Sequence, residues 1–443
     1  MVASAGSDTH RIPGGLLRSP AFAESVREAR ERAAAEGQLL FDPFDPRFHD
    51  DPAEIYKVLR VSNPVHRSPL GFWVFTRHAD CLAILRDKRS SSDARNVDPD
   101  AIGAPVVTHG AEGPSVQIYD DLSPFIFRDP PDHTRLRGIV QKAFTPRVVE
   151  SLRGRATELA KSLVDEAIER GDVDLVADFA YALPVRIIAD MLGIPQSDLE
   201  MFKDWSDATA RGLDPDFLLP PEDLQGRLDA LLAFLGYFGN LISDRRNALG
   251  DDLLSRLIQA EEDGISLTQA ELIATCILIL VAGHETTVNL LSGGLLELMR
   301  NPQQMALFRD DPSVLRTGIE EMTRYVSPVH MTGRTALEDI DIGGETVLKG
   351  EFMMLLLACA NRDPAVFKDP ETFDVRREDN PHIGFGFGAH FCLGASLARL
   401  EAQVALPELL GRVKSIELAT DELDYRDNLV LRGLKTLPVR ITA

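Results

Sequence analysis

The sequence predicts one mostly helical domain with small β-sheets at its edges. Three observations carry that prediction. From about residue 132 to 325, apolar residues recur three and four apart, as in LRGRATELAKSLVDEAIE, the spacing of a buried helix face. Two stretches read instead as short strands around turns: residues 64–76, PVHRSPLGFWVFT, and residues 339–357, DIDIGGETVLKGEFMMLLL. Length alone would suggest two or three domains, yet no repeat and no Gly/Ser linker divides the 443 residues.

Taken in order, residues 1–38 are charged and Ala-rich and form an N-terminal arm with a helix; residues 39–443 form the main domain. A short amphipathic helix covers about 77–87. Residues 89–131 are rich in Ser, Asp, Gly and Pro, and a loop of that length in a compact domain is either a functional lid or disordered. The lid region, residues 200–242, carries Phe202, Trp205, Phe217, Leu218, Leu219, Phe234, Tyr237 and Phe238. Two prolines follow Phe217-Leu218-Leu219, which predicts an apolar loop tip there. The last helix begins just after Cys392.

A net charge of −22 argues against broad nucleic-acid binding, which needs basic surface. The segment MVASAGSDTHRIPGG lacks the apolar core of a secretory signal. The most apolar run, LIATCILILVAG at 272–283, falls short of the roughly 20 residues that span a bilayer. The expectation is a soluble, cytoplasmic protein with no transmembrane anchor. Cys81, Cys276, Cys359 and Cys392 form no CxxC pair, so neither a structural zinc site nor a disulfide framework is expected.

Residues 383–401 read IGFGFGAHFCLGASLARLE. Cys392 precedes a strong helical pattern, and the free N–H groups and positive dipole end of a helix N-terminus favour a thiolate. Glycines at 384, 386, 388 and 394 permit close backbone approach; phenylalanines at 385, 387 and 391 add flat apolar surface. Together they describe a thiolate beneath a large planar ligand. A dinucleotide loop fits poorly, because NPHI is a weak strand and no acidic ribose partner follows about 20 residues on.

A second polar feature interrupts an apolar run. Residues 266–301 begin with a capping-box pattern at Thr268 and Glu271 and are apolar on all sides at the centre, so this helix should cross the core. His284-Glu285-Thr286-Thr287 breaks the run, and burying such groups is costly unless they are paired or functional. A zinc HExxH site is excluded by Val288 at the fifth position, and His284 reads as a structural side chain. Elsewhere, His133 and Arg137 share a helix face four apart, and Glu321 and Arg324 form an i,i+3 pair.

These motifs resemble those of the cytochrome P450 family. Phe385, Gly388, His390, Cys392 and Gly394 match its haem-binding loop, F-x-x-G-x-[RH]-x-C-x-G; Ala282, Gly283, Glu285, Thr286 and Thr287 match A-G-x-[DE]-T-[TS]. The resemblance spans about residues 40–443 and implies the family's fold, with haem b as cofactor and Cys392 as the proximal iron ligand, whose thiolate favours O–O cleavage. Thr286 would hydrogen-bond dioxygen or its ordered water, and Glu285 would relay protons, since that cleavage needs two. Gly283 would let the helix open beside the iron. His133 and Arg137 in DPPDHTRLR, with Arg334 and His390, would hold the propionates. Glu321 and Arg324 would support the cysteine loop with a further arginine, Arg377 or, failing that, Arg376. Leu348 stands where many relatives have proline, without consequence for these roles.

The implied activity is insertion of one atom of O2 into an apolar substrate. A hydrogen-peroxide-driven peroxygenase and a non-catalytic haem sensor or carrier are the rivals. The chain has no flavin or iron–sulfur segment, so electrons from NAD(P)H would arrive through a ferredoxin reductase and a ferredoxin. An acidic ferredoxin calls for a local basic patch, for which Lys142, Arg147 and Arg399 are candidates. Val329, His330 and Met331 are expected to line the pocket near the haem, with Phe217 in the lid. A bulky lipophilic substrate and tight binding of azole inhibitors follow from that lining.

Overall fold

The longest apolar segment becomes the axis of the molecule. The computed structural model describes residues 20–49, 51–98, 122–215, 219–262 and 267–442. Gln269–Arg300 is one helix, buried along most of its length from Leu272 to Leu298. It opens on the expected capping box: Thr268 Oγ1 accepts the Glu271 N–H at 3.1 Å, and Glu271 Oε2 accepts the Thr268 N–H at 2.8 Å. The helix exceeds the run read from sequence. It is the one described helix long and apolar enough to cross a membrane, but 72% of its most apolar window is buried within the fold.

Helices Ala182–Leu192, Leu315–Val326 and Ala395–Arg412 pack on this axis, and Arg153–Arg170 packs on the last of them. The predicted helical stretch is interrupted by a short strand, Asp172–Asp174, and by a π-helical turn, Val176–Tyr181. At one edge lies a five-stranded sheet in the order Val65–Arg67, Trp73–Phe75, Phe352–Leu355, Thr332–Ala336, Ser90–Ser91. Trp73–Phe75 runs parallel to Phe352–Leu355, with Trp73 opposite Met353; the other pairs are antiparallel. A hairpin, Ile340–Ile342 with Glu345–Val347, turns through Gly343 and Gly344 at φ 64° and 93°, values that favour glycine. The helix His78–Arg86 stands where expected.

One expectation becomes specific and one changes. In the N-terminal arm, Pro20–Ala35 is a helix docked on the main body: Val26 joins the apolar cluster of Phe41 and Phe48, and Arg30 pairs with Asp42 at 2.6 Å. The lid aromatics are mostly packing. Phe202, Phe234 and Phe238 are fully buried, and Trp205 and Tyr237 meet Phe202 edge-on at 5.6 and 4.8 Å. They clamp Leu199–Arg211 onto Pro221–Asn247, as an apolar stripe at helical spacing does. Leu219 is buried; Phe217 and Leu218 lie outside the described residues, as does 99–121 of the long loop.

The pair Glu321–Arg324 is wholly buried. Arg324 Nε and Nη2 donate to the two Glu321 oxygens at 2.7 and 2.8 Å. The third member is Arg377, whose Nε donates to Glu321 Oε2 at 3.0 Å; Arg376 is exposed, its N–H donating to Asp374. Arg324 also donates to the carbonyls of Asn361, Pro370 and Thr372. Removing one charge from such a pair strands the other, so Glu321→Gln should lower unfolding free energy by about 3–5 kcal/mol in a urea titration. A loss below about 1 kcal/mol would mean that the cluster is not a structural anchor.

Candidate active site

Cys392 is positioned by the turn before it and the helix after it. Its N–H donates to Phe385 O at 2.9 Å, closing a loop that contains Gly386 and Gly388 at φ 68° and 72°. A side chain on Gly388 would meet Leu85 O at 2.4 Å, so the loop's approach to helix His78–Arg86 requires glycine. The helix Ala395–Arg412 begins with Gly394 at its N-cap. Burial pushes the Cys392 thiol up, against the pull of the Gly394 and Ala395 N–H groups and of Arg137 and Arg399. The backbone supplies the expected stabilisation, but the dry surroundings outweigh it until a further positive partner is present.

The loop faces a cluster of nitrogen donors. His133 and His390 rings lie 4.1 Å apart, and Arg137 Nη2 donates to Phe391 O at 2.5 Å, beside Cys392. Arg334, buried on its strand, spends Nη1 on Thr332 Oγ1 and Gly333 O. Burial pushes all four groups down, His390 to about 3 and Arg334 to about 10. His133 Nε2 is buried without a hydrogen-bond partner, and none of the four has an ion-pair partner among the described residues. Desolvated donors without an anion fit the two carboxylates of a haem, and the cysteine sulfur beside them fits its iron.

On the central helix, Thr286 is half-buried and donates to Ala282 O at 3.1 Å. Ala282 is exposed although mid-helix. At Gly283 a Cβ would meet Ile188 Cδ1 at 2.6 Å, so the missing side chain admits helix Ala182–Leu192. Glu285 is buried, takes Arg426 Nη1 at 2.8 Å and His284 Nε2 at 3.1 Å, and its pKa lies below the ordinary carboxyl value because these partners outweigh its burial.

Other candidates fall elsewhere. Arg399 is half-buried, pairs with Glu320 at 2.6 Å and stacks over Phe385 at 4.4 Å, so it is no free cation; Lys142 and Arg147 are exposed. His330 is buried beside Tyr56, Val329 is half-buried, and Met331 lines an apolar recess with Phe41, Phe72, Pro215 and Leu429. Arg426 and Glu401 were not anticipated. Glu401 is wholly buried on helix Ala395–Arg412, with the Thr287 hydroxyl the one polar side chain that eases its burial. A charged residue amid LARLEAQVAL was the available signal, but a helix pattern does not say which side is dry.

A family model described as "Cytochrome P450" matches residues 121–311 and 309–436. The polyketide biosynthesis cytochrome P450 PksS of Bacillus subtilis is 38% identical over 419 residues, covering 91% of this chain and 99% of that protein. P450BioI, solved with a hexadec-9Z-enoic acid-ligated acyl carrier protein, superposes with TM-score 0.81 at 36% identity, covering 89% and 99% of the two chains. Mycobacterium smegmatis CYP164A2 with econazole bound gives TM-score 0.81 at 40% identity, covering 90% and 98%. The fold and sequence thus define a haem- and O2-using oxidoreductase that takes electrons from a partner reductase. The chain belongs to the cytochrome P450 family.

Burial raises Glu401 from the ordinary 4.5 to about 8. Because the folded value is the higher, the neutral acid costs nothing below about pH 4.5, and stability is lost progressively as pH rises through 8. By pH 9 the loss is on the order of 4–5 kcal/mol. Glu401→Gln should therefore match the parent in Tm near pH 5 and exceed it near pH 9; parallel pH profiles would contradict the buried acid.

Proposed function

We propose that this chain is a monooxygenase with Cys392 as the iron ligand and His133, Arg137, Arg334 and His390 as the propionate partners. The observation that carries the reading is the convergence on the cysteine loop, which carries His390, of His133 and Arg137 from helix Asp132–Val140 and of Arg334 from strand Thr332–Ala336, none of them ion-paired among the described residues, with Arg137 bonded beside the cysteine. Bound there, haem would supply O2 reduction and O–O cleavage, with one atom going to a substrate C–H or C=C bond and the other to water.

The residues do the rest. Gly394 and Ala395 N–H groups and Arg137 favour negative charge on sulfur against its burial. The Thr286 hydroxyl, donating to Ala282 O, can rotate to donate or accept at the reacting oxygen. Glu285, next in chain, brings protons from the buried ion network; this relay favours O2 over peroxide as oxidant, since a peroxygenase has no such need. Electrons come from a ferredoxin and its NAD(P)H-dependent reductase in the cytoplasm. The docking face is the one around the cysteine loop, where exposed Phe387 and Phe391 adjoin Arg86 and Arg137, with Lys142 and Arg147 nearby in sequence.

The substrate is bulky and lipophilic, of fatty-acid, sterol or polyketide type. The polyketide and fatty-acyl titles of the relatives support this. Econazole on CYP164A2 supports azole binding here.

Thr286→Ala should keep consuming NAD(P)H and O2 while releasing peroxide in place of product. An unchanged ratio of product to NAD(P)H would remove Thr286 from the proton path. For the substrate, a Soret titration with fatty acids of rising chain length should show affinity climbing by on the order of 2.5 kcal/mol per ~100 Å2 of added apolar area. Flat affinity, or preference for small polar ligands, would refute the lipophilic pocket and leave the chemistry standing.

A further inference from the structure

His284 is fully buried, yet both its ring nitrogens face oxygen acceptors. Nδ1 lies 2.6 Å from Leu280 O, and Nε2 lies 3.1 Å from Glu285 Oε1. A carbonyl only accepts, so Nδ1 carries a proton. A bare Nε2 would then set its lone pair against carboxylate oxygen, so a second proton lies between the ring and Glu285.

Charge balance points the same way. Arg426 Nη1 touches both Glu285 at 2.8 Å and Asp207 at 3.0 Å. One arginine against two carboxylates leaves a net negative cluster, and one added proton makes it neutral. Lys203 acts on Asp207 and Asp204 on Tyr181, one charge of each sign. Tyr181, at the end of the π-helical turn, caps the His284 ring edge-on at 5.4 Å and carries no charge. Side-chain exposure falls from 42% at Asp207 through 17% at Arg426 and 2% at Glu285 to 0% at His284, a graded path from solvent to a dry end.

We infer that His284 and Glu285 share one stored proton, and that His284 is a positioning residue that keeps Glu285 loaded for Thr286. In each delivery the proton passes from the pair toward the Thr286 hydroxyl. A proton from solvent then reloads the pair; Arg426, held by Asp207 on its outer side, fixes the Glu285 carboxylate and does not itself carry the proton. This rests on the relay proposed above and names what charges it.

Haem-loaded, reduced and carbon-monoxide-bound protein with 15N-labelled histidine reads the proton directly. His284, identified by its loss in His284→Asn, should show protons on both ring nitrogens at neutral pH, reverting to one in Glu285→Gln. A singly protonated ring in the parent overturns the inference. In turnover, His284→Asn should lower product per NAD(P)H by roughly tenfold or more, while peroxide-supported turnover and the carbon-monoxide spectrum stay unchanged. His284→Gln, which retains a donor but stores no proton, should behave alike and serves if the Asn variant folds poorly. Uncoupling by Thr286→Ala without uncoupling by either His284 variant overturns the role of His284 and leaves the relay intact. Coupled turnover in Thr286→Ala overturns both.

Discussion

The buried triad of Glu321, Arg324 and Arg377 is the constraint on which the site depends. One carboxylate takes two guanidinium groups, and the remaining arginine donors bind carbonyls of Asn361, Pro370 and Thr372. Asn361 in turn donates to Ser327 Oγ and accepts the Ile383 N–H, immediately before the cysteine loop. A long irregular segment, unable to satisfy its own backbone, is thus hung from one helix. The cysteine inherits its position from that anchor and its electrostatic setting from helix Ala395–Arg412.

Charge is distributed with the same economy around the rest of the site. The triad and the Asp207–Arg426–Glu285–His284 chain are internally paired, as buried charge must be. His133, Arg137, Arg334 and His390 are not, and burial holds each below its ordinary pKa. A cluster of desolvated donors without an ion-pair partner among the described residues is prepared for an anion. Cofactor binding and stability are then linked, because the group that satisfies these donors binds only the folded chain.

Much of this was legible because it is local. Capping box, Gly-Gly turn, cysteine loop and Glu-x-x-Arg each lie within a few residues, and the chemistry dictates the spacing. What was missed is long-range. Glu285 and Arg426 are 141 residues apart, and no pattern near either names the other. Arg399 looked like free surface charge until Glu320, 79 residues away, was found against it. The lid aromatics, spaced for a helix face, pack on one another, a pairing across two helices that the spacing alone does not name. Periodicity shows that a face is apolar, not what covers it.

The central claim is that one cysteine sulfur ligates the haem iron. The carbon-monoxide difference spectrum of the reduced protein tests it most directly, compared between the parent and Cys392→Ser. The account predicts the red-shifted Soret band of a thiolate-ligated haem in the parent and its loss in the variant. The same band retained in Cys392→Ser, or absent from the haem-loaded parent, would contradict it.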